Sequence, residues 1–247
     1  MSTIVDLRKL LAARFPHPSP PASAFLSTGI PLLDQICGRG LPKNAITELI
    51  TPNASAGSAS LIHVLLRSAQ RYQHFLALID GSDSFDPGSS DNSALRHLLW
   101  IRCHKAFDAI KAADFLLRDG NFPLVVVDLV LNAADELRKI PQTSWYRLQR
   151  LVETAPTACL IMNRQSLVSS AQLKIVLENS WTLADLEREN TISHLRFRVQ
   201  RFAGANFMAG GREVIANRPR EAGDSVLVKT ERSHLKSAIS NPQSAIN

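Results

Sequence analysis

The sequence predicts an α/β fold with a mostly parallel central sheet flanked by helices and an antiparallel hairpin towards the C-terminal end. Three observations carry that prediction. Short runs such as Leu124–Leu129 (LVVVDL) and Ala158–Asn163 (ACLIMN) are continuously apolar, the pattern of strands covered on both faces. Between such runs lie segments with apolar residues at helical spacing. Near the end, Ile192–Phe202 (ISHLRFRVQRF) alternates strictly, as a strand with one face in water does.

Taken in order, residues 1–15 place Ile4, Leu7, Leu10, Leu11 and Phe15 on one helical stripe, with Arg8, Lys9 and Arg14 elsewhere on the wheel. This amphipathic helix stops before Pro16, and residues 16–25 read as a stiff, proline-rich linker. A helix set apart in this way buries its apolar stripe against its own core or against a partner. The core then spans residues 26–216. Its strands are Ala45–Ile50, Phe75–Asp80, Leu98–Arg102, Leu124–Leu129 and Ala158–Asn163. Its helices are Leu61–Tyr72, Ala106–Arg118 and Trp145–Val152. After Leu173–Leu177 the pattern turns antiparallel, with Ile192–Phe202 pairing Arg212–Ala216 across the turn at Gly210 and Gly211. Residues 217–247 hold few large apolar side chains and read as a polar, disordered tail.

Composition narrows the class. A chain of 247 residues, 45% of them hydrophobic, is long enough to bury one core. No apolar run reaches the roughly 18–20 residues that span a bilayer, and charge interrupts the first segment, so a cytoplasmic protein without a membrane anchor is expected. Cys37, Cys103 and Cys159 lack metal-ligand or disulfide spacing and read as small buried hydrophobes. A net charge of +6 leans towards work near nucleic acid, which would allow a nucleoid association.

The stretch from residue 26 to 60, LSTGIPLLDQICGRGLPKNAITELITPNASAGSAS, resembles the start of the RecA recombinase core, where a similar segment leads through a strand into a phosphate loop. The resemblance continues at LALIDGSDSFDP (76–87), LLWIRC (98–103), LVVVDL (124–129) and ACLIMNRQ (158–165). It implies a RecA-like core, and it also exposes what has changed. A working loop follows G-x-x-x-x-G-K-[ST]: glycines let backbone N–H groups close on phosphates, the lysine reaches them, and the hydroxyl holds magnesium. Here Thr51 stands at the first glycine, one extra residue precedes Gly57, Ser58 replaces the lysine and Ala59 replaces the hydroxyl. Ser60 would supply a hydroxyl if the loop slipped by one residue, but nothing replaces the lysine. On the next strand, Ser82 occupies the position where active relatives carry a water-orienting glutamate. Asp128 keeps the position that touches magnesium through water, although an Asp ending a strand also caps loops. Thr51, Gly57, Ser58, Ala59 and Asp128 are therefore read as a nucleotide-site remnant, with no catalytic residue, cofactor or metal expected.

The resemblance also bears on partners. RecA proteins grip single-stranded DNA with two loops, matched here by the polar interval 132–144 and a stub between Arg164 and Leu173. Weak DNA contact would fall to Arg196, Arg198 and Arg201, the first two sharing a face and Arg201 opposite if the strand stays regular; the alternative is a charged edge that resists aggregation. Gln172–Leu177 faintly resembles the peptides that bind sliding clamps, but it lies where the family has a helix. A degenerate core with an amphipathic arm looks like the ImuA (SulA-related) branch of RecA-like proteins. That resemblance implies an accessory factor in damage-induced mutagenesis and translesion synthesis, partnered with an inactive Y-family polymerase homologue (ImuB), an error-prone C-family DNA polymerase and RecA. The arm of Ile4, Leu7, Leu10, Leu11 and Phe15 would dock onto RecA or, by self-association, a second copy. Two other readings stand beside it: a SulA-like cell-division inhibitor, and an ATP-dependent recombination regulator with an unusual phosphate loop.

Overall fold

Runs of residues that are apolar on both faces have to be sandwiched, and the chain meets that demand with one large sheet between two layers. The computed structural model describes residues 24–53, 57–179, 195–202 and 213–215. In chain order the elements are β1 (Phe25–Leu26), α1 (Pro31–Ile36), β2 (Leu41–Pro42), β3 (Ala45–Ile50), α2 (Ser58–Arg71), β4 (Leu76–Asp80), α3 (Asn92–Leu95) and β5 (Leu98–Arg102). Next come α4 (Ala106–Asp119), β6 (Leu124–Asp128), α5 (Ala134–Arg138), α6 (Gln142–Glu153), β7 (Ala158–Asn163), β8 (Leu173–Leu177), β9 (Arg196–Phe202) and β10 (Glu213–Ile215). The main sheet has eight strands in the order β10-β9-β8-β3-β7-β6-β4-β5. The six from β8 to β5 are parallel, and β9 and β10 join antiparallel.

Each face has its own core. On one, α4 (Ile110, Leu116) and α6 (Trp145, Leu148, Val152) cover Ile46, Val125, Val127 and Ile161. On the other, α2 (Leu61, Leu65) and α1 (Leu33) cover Leu49, Leu78, Val126 and Leu160. Each buried leucine of these layers is worth about 1.5–3 kcal/mol relative to exposure. Among the described residues, no helix is long and apolar enough to cross a membrane.

The STG…LD…G pattern near the start is a clasp. Asp34 Oδ1 accepts from the Thr28 backbone N–H at 2.8 Å and the Thr28 hydroxyl at 2.7 Å, while Oδ2 accepts from the Ser27 hydroxyl at 2.6 Å. Gly40, at φ 128°, lies where a Cβ would fall 2.2 Å from the Leu26 carbonyl oxygen, so only glycine fits. The clasp closes the small β1–β2 pair at the edge of the α2 layer.

The predicted strands Ala45–Ile50, Leu98–Arg102 and Ala158–Asn163 form with those bounds, and the predicted helix Trp145–Val152 is the inner part of α6. Three expectations are corrected. The interval 132–144, read as a polar loop, holds α5 and the start of α6, because Leu137 and Ile140 bury themselves against the core. Leu173–Leu177 is an interior strand rather than a helix; with Leu173, Ile175 and Leu177 buried it is no exposed clamp-binding peptide. Arg201 does not oppose Arg198. A bulge leaves Gln200 without a counterpart on β8, so Lys174 faces Arg201 while Val176 faces Arg198, and both arginines lie on one side. The arm residues Ile4, Leu7, Leu10, Leu11 and Phe15, the linker up to residue 23 and the tail 217–247 lie outside the described residues.

One polar pair interrupts the apolar interior. Glu48 on β3 is wholly buried and its Oε2 lies 2.7 Å from Lys174 Nζ on neighbouring β8, with Lys174 itself 8% exposed. Removing one partner leaves a charge buried alone, so Lys174→Met is expected to cost about 3–5 kcal/mol of stability. The double variant Glu48→Gln/Lys174→Met should lose less than the two single losses added together. Urea unfolding of all four proteins checks both statements.

Candidate functional site

In open parallel sheets, ligands settle outside the carboxyl ends of the strands, and here those ends belong to β3, β4, β6 and β7. At the end of β3, Thr51 is wholly buried. Its N–H donates to the Asn163 carbonyl at 2.7 Å and its hydroxyl donates to the same oxygen at 3.2 Å. The residue thus prolongs the β3–β7 ladder at the point where a phosphate loop needs a glycine to turn away. Gly57 caps α2 with φ 93°, a left-handed conformation suited to glycine. Ser58 is buried and Ala59 exposed, so neither supplies a cation at the helix start. Residues 54–56 lie outside the described residues.

The end of β4 is organised around Asp80. Its buried carboxylate accepts from the backbone N–H groups of Ser84 and Phe85, both at 2.7 Å, and from that of Ser82 at 3.3 Å. Each of these bonds holds the following turn rather than a ligand. Ser82 donates its hydroxyl to Ser84 at 3.2 Å. The nearest carboxylate along the chain, Asp83, takes φ 54° and is gripped by Arg102 through Nε at 2.6 Å and Nη2 at 2.7 Å. That hydrogen-bonded guanidinium pulls the Asp83 pKa below the ordinary carboxylate value. Arg102 in turn stacks over Trp100, 4.9 Å from the ring centroid.

Asp128 ends β6 directly opposite Asp80 in the ladder. Its Oδ1 accepts from the Val130 N–H at 3.0 Å, which is the loop-capping role. Burial first, and the neighbouring Asp80 charge as well, push its pKa up to about 6, although the Val130 bond works the other way. Among the described residues, no group of three or more His, Cys, Asp or Glu side chains could hold a metal ion. Beyond β7, Glu48 Oε1 accepts from the N–H groups of Leu167 at 2.6 Å and Val168 at 2.9 Å, and from Asn163 Nδ2 at 3.1 Å. The connection 164–172 is thereby tied to the sheet.

The basic strand is partly committed too. Arg198 pairs with Glu178, and Arg201 donates from Nη1 to the Ser169 carbonyl at 3.1 Å. Among the described residues, the Arg196 side chain has no partner. The structure brings Thr51, Ser82 and Asp128 to the same sheet end, and places Arg196, Arg198 and Arg201 far along the sheet on its antiparallel side. Sequence reasoning missed Glu48, Asp80 and Arg102. An acidic residue inside an apolar strand, as in AITELI, was the available signal for Glu48.

The sign of the Asp128 shift gives a stability test. A carboxyl with a folded pKa above its unfolded value binds its proton more tightly when folded, so its contribution falls as pH rises from about 4 to 6 and stays unfavourable above. Asp128→Asn keeps an acceptor for Val130 and removes the charge. It should raise stability near pH 8 by up to about 3 kcal/mol, given a rise from 3.8 to about 6 and 1.36 kcal/mol per pKa unit, and change stability much less near pH 4. Denaturant unfolding at the two pH values measures the difference.

No family model matches the chain. Sequence comparison finds RecA proteins. The chain is 31% identical over 110 residues to Protein RecA of Rubrobacter xylanophilus, covering 43% of this chain and 32% of that one. It is 32% identical over 110 residues to Protein RecA of Clavibacter michiganensis, covering 43% and 30%. A chloroplastic DNA repair protein, recA homolog 1 of Arabidopsis thaliana, is 29% identical over 106 residues, covering 42% and 24%. The matches span about a third or less of those relatives' length. Together with the strand order and the helical layers on both faces, they mark the core of this chain as a RecA-like α/β fold.

Proposed function

We propose that the chain is a non-catalytic RecA-like adaptor of SOS-induced, error-prone translesion synthesis, of the ImuA (SulA-related) kind. The observation that carries this reading is where the polar groups at the strand ends are spent. Thr51 extends a ladder, Asp80 and Ser82 hold a turn, and Asp128 caps a loop. Thr51, Asp80, Ser82 and one carboxylate oxygen of Asp128 are thus bonded within the chain, and no lysine follows Gly57 directly. A fold stripped of that chemistry works by its surfaces.

The edge of the sheet supports the same reading. β5 pairs with β4 on one side and has no strand on the other among the described residues. Leu98, Leu99, Trp100 and Ile101 are each only partly buried, and Phe107 nearby is 44% exposed. An open, apolar strand edge is a place for another chain to add on. The partners of this reading are an inactive Y-family polymerase homologue (ImuB), an error-prone C-family DNA polymerase and RecA, with DNA touched weakly through Arg196.

Pairwise binding assays against RecA and polymerases of the two families test the adaptor. At least one is expected to bind the full chain, and deletion of residues 1–18 should abolish or strongly weaken that binding. Unchanged binding would remove the arm from the mechanism, and no binding to any of the three would remove the adaptor. Separately, titration with a fluorescent ATP analogue should show no magnesium-dependent binding. Ser58→Lys alone should leave hydrolysis undetectable, because Thr51 and Ser82 remain. Tight magnesium-dependent binding by the unaltered chain would instead favour an ATP-dependent regulator.

A further inference from the structure

The turn after β6 and the connection after β7 enclose a hollow of about 220 Å³. Leu131, Ala134, Leu137 and Leu167 give it aliphatic walls, and the exposed Arg164 also lines it. Both walls are built in advance. On one side, Glu48 accepts from the N–H groups of Leu167 and Val168. On the other, Asn132 Nδ2 donates to the Gly81 carbonyl at 2.8 Å, and Glu136 accepts from the Ala106 N–H at the start of α4. A site held in this way loses little freedom when it is filled.

Two features define what fits. Leu131 lines the hollow and is 53% exposed, so its side chain is accessible to an incoming group. Arg164 is exposed and, among the described residues, makes no hydrogen bond or ion pair, as Arg196 makes none through its side chain. No acidic side chain lines the hollow. An unpaired guanidinium beside an aliphatic cup selects a carboxylate adjoining an aliphatic group. Nucleic acid fits less well, because no aromatic ring lines the hollow on which a base could stack.

We infer that this hollow is a docking pocket for a segment of a partner protein that presents an aliphatic side chain next to a carboxylate, the side chain entering the cup and the carboxylate meeting Arg164. The inference rests on the reading of the chain as a binding module, and not on which polymerase it binds.

The test uses the full chain and a fluorescein-labelled peptide, Gly-Ser-Asp-Leu-Leu-Asp-Ser-Gly, followed by anisotropy. Control peptides carry lysine for aspartate or alanine for leucine, and a labelled single-stranded oligonucleotide is run in parallel. The acidic leucine peptide should bind, both control peptides should bind at least about tenfold more weakly, and Arg164→Glu should weaken the first by a similar factor, as loss of a charge-assisted pair does. Ala134→Trp, which fills the cup, should abolish binding. If that variant fails to fold, Leu131→Asp at the exposed rim replaces it with the same expectation. Equal binding of the lysine peptide, or indifference to Arg164→Glu, overturns the proposal. So does an oligonucleotide that binds through Arg164 while the peptide does not. Capture of a polymerase that persists in Arg164→Glu without any peptide binding would leave the adaptor standing and refute only this pocket.

Discussion

The carboxylate of Glu48 sits in the middle of β3 with no exposure to water, and much of the sheet end depends on how it is satisfied. A buried charge costs several kcal/mol unless it is paired and hydrogen-bonded. Glu48 meets that demand with Lys174 on β8, with Asn163 on β7, and with two backbone N–H groups of the connection between those strands. One side chain therefore ties three adjacent strands and the crossover that joins two of them. Ser166 adds a further link, accepting from Lys174 Nζ at 2.6 Å. The segment that begins at Arg164 is held in one shape as a result, which is what lets a small aliphatic hollow exist beside it.

The same inward use of polar groups runs along the rest of the sheet end. Asp80 and Asp128 face each other at the ends of β4 and β6, and each is bonded to the turn that follows it. Burial first, and the neighbouring Asp80 carboxylate as well, hold the Asp128 pKa up at about 6. In the adaptor reading, the strand ends have become joinery, and recognition passes to the edge of β5, the arm and the hollow beside Arg164.

Much of the fold is legible in the order of the amino acids. The continuous apolar runs mark the interior strands, since only a strand covered on both faces tolerates leucine or valine at every position. The substitutions at Thr51, Ser58, Ala59 and Ser82 are equally legible, because a motif position is either filled by the required atom or not. The hydrogen bonds those residues make instead are hidden. Thr51 finds its acceptor on Asn163, 112 positions away in the chain, and no local pattern points there. The five-residue α5 escapes sequence reading for a related reason: Leu137 is one buried side chain in a polar stretch, and its burial comes from the core beneath it.

By itself the sequence determined the layered α/β architecture, the order of its strands along the chain, and the absence of a lysine at the phosphate position, because periodicity and residue identity are local properties. Only the tertiary structure decided the spatial order of the strands and which carboxylates are spent internally. It alone also decided that Arg201 shares a face with Arg198. A single unpaired residue, Gln200, reverses the side on which everything beyond it points, and that shift is fixed by pairing with β8, not by β9 alone.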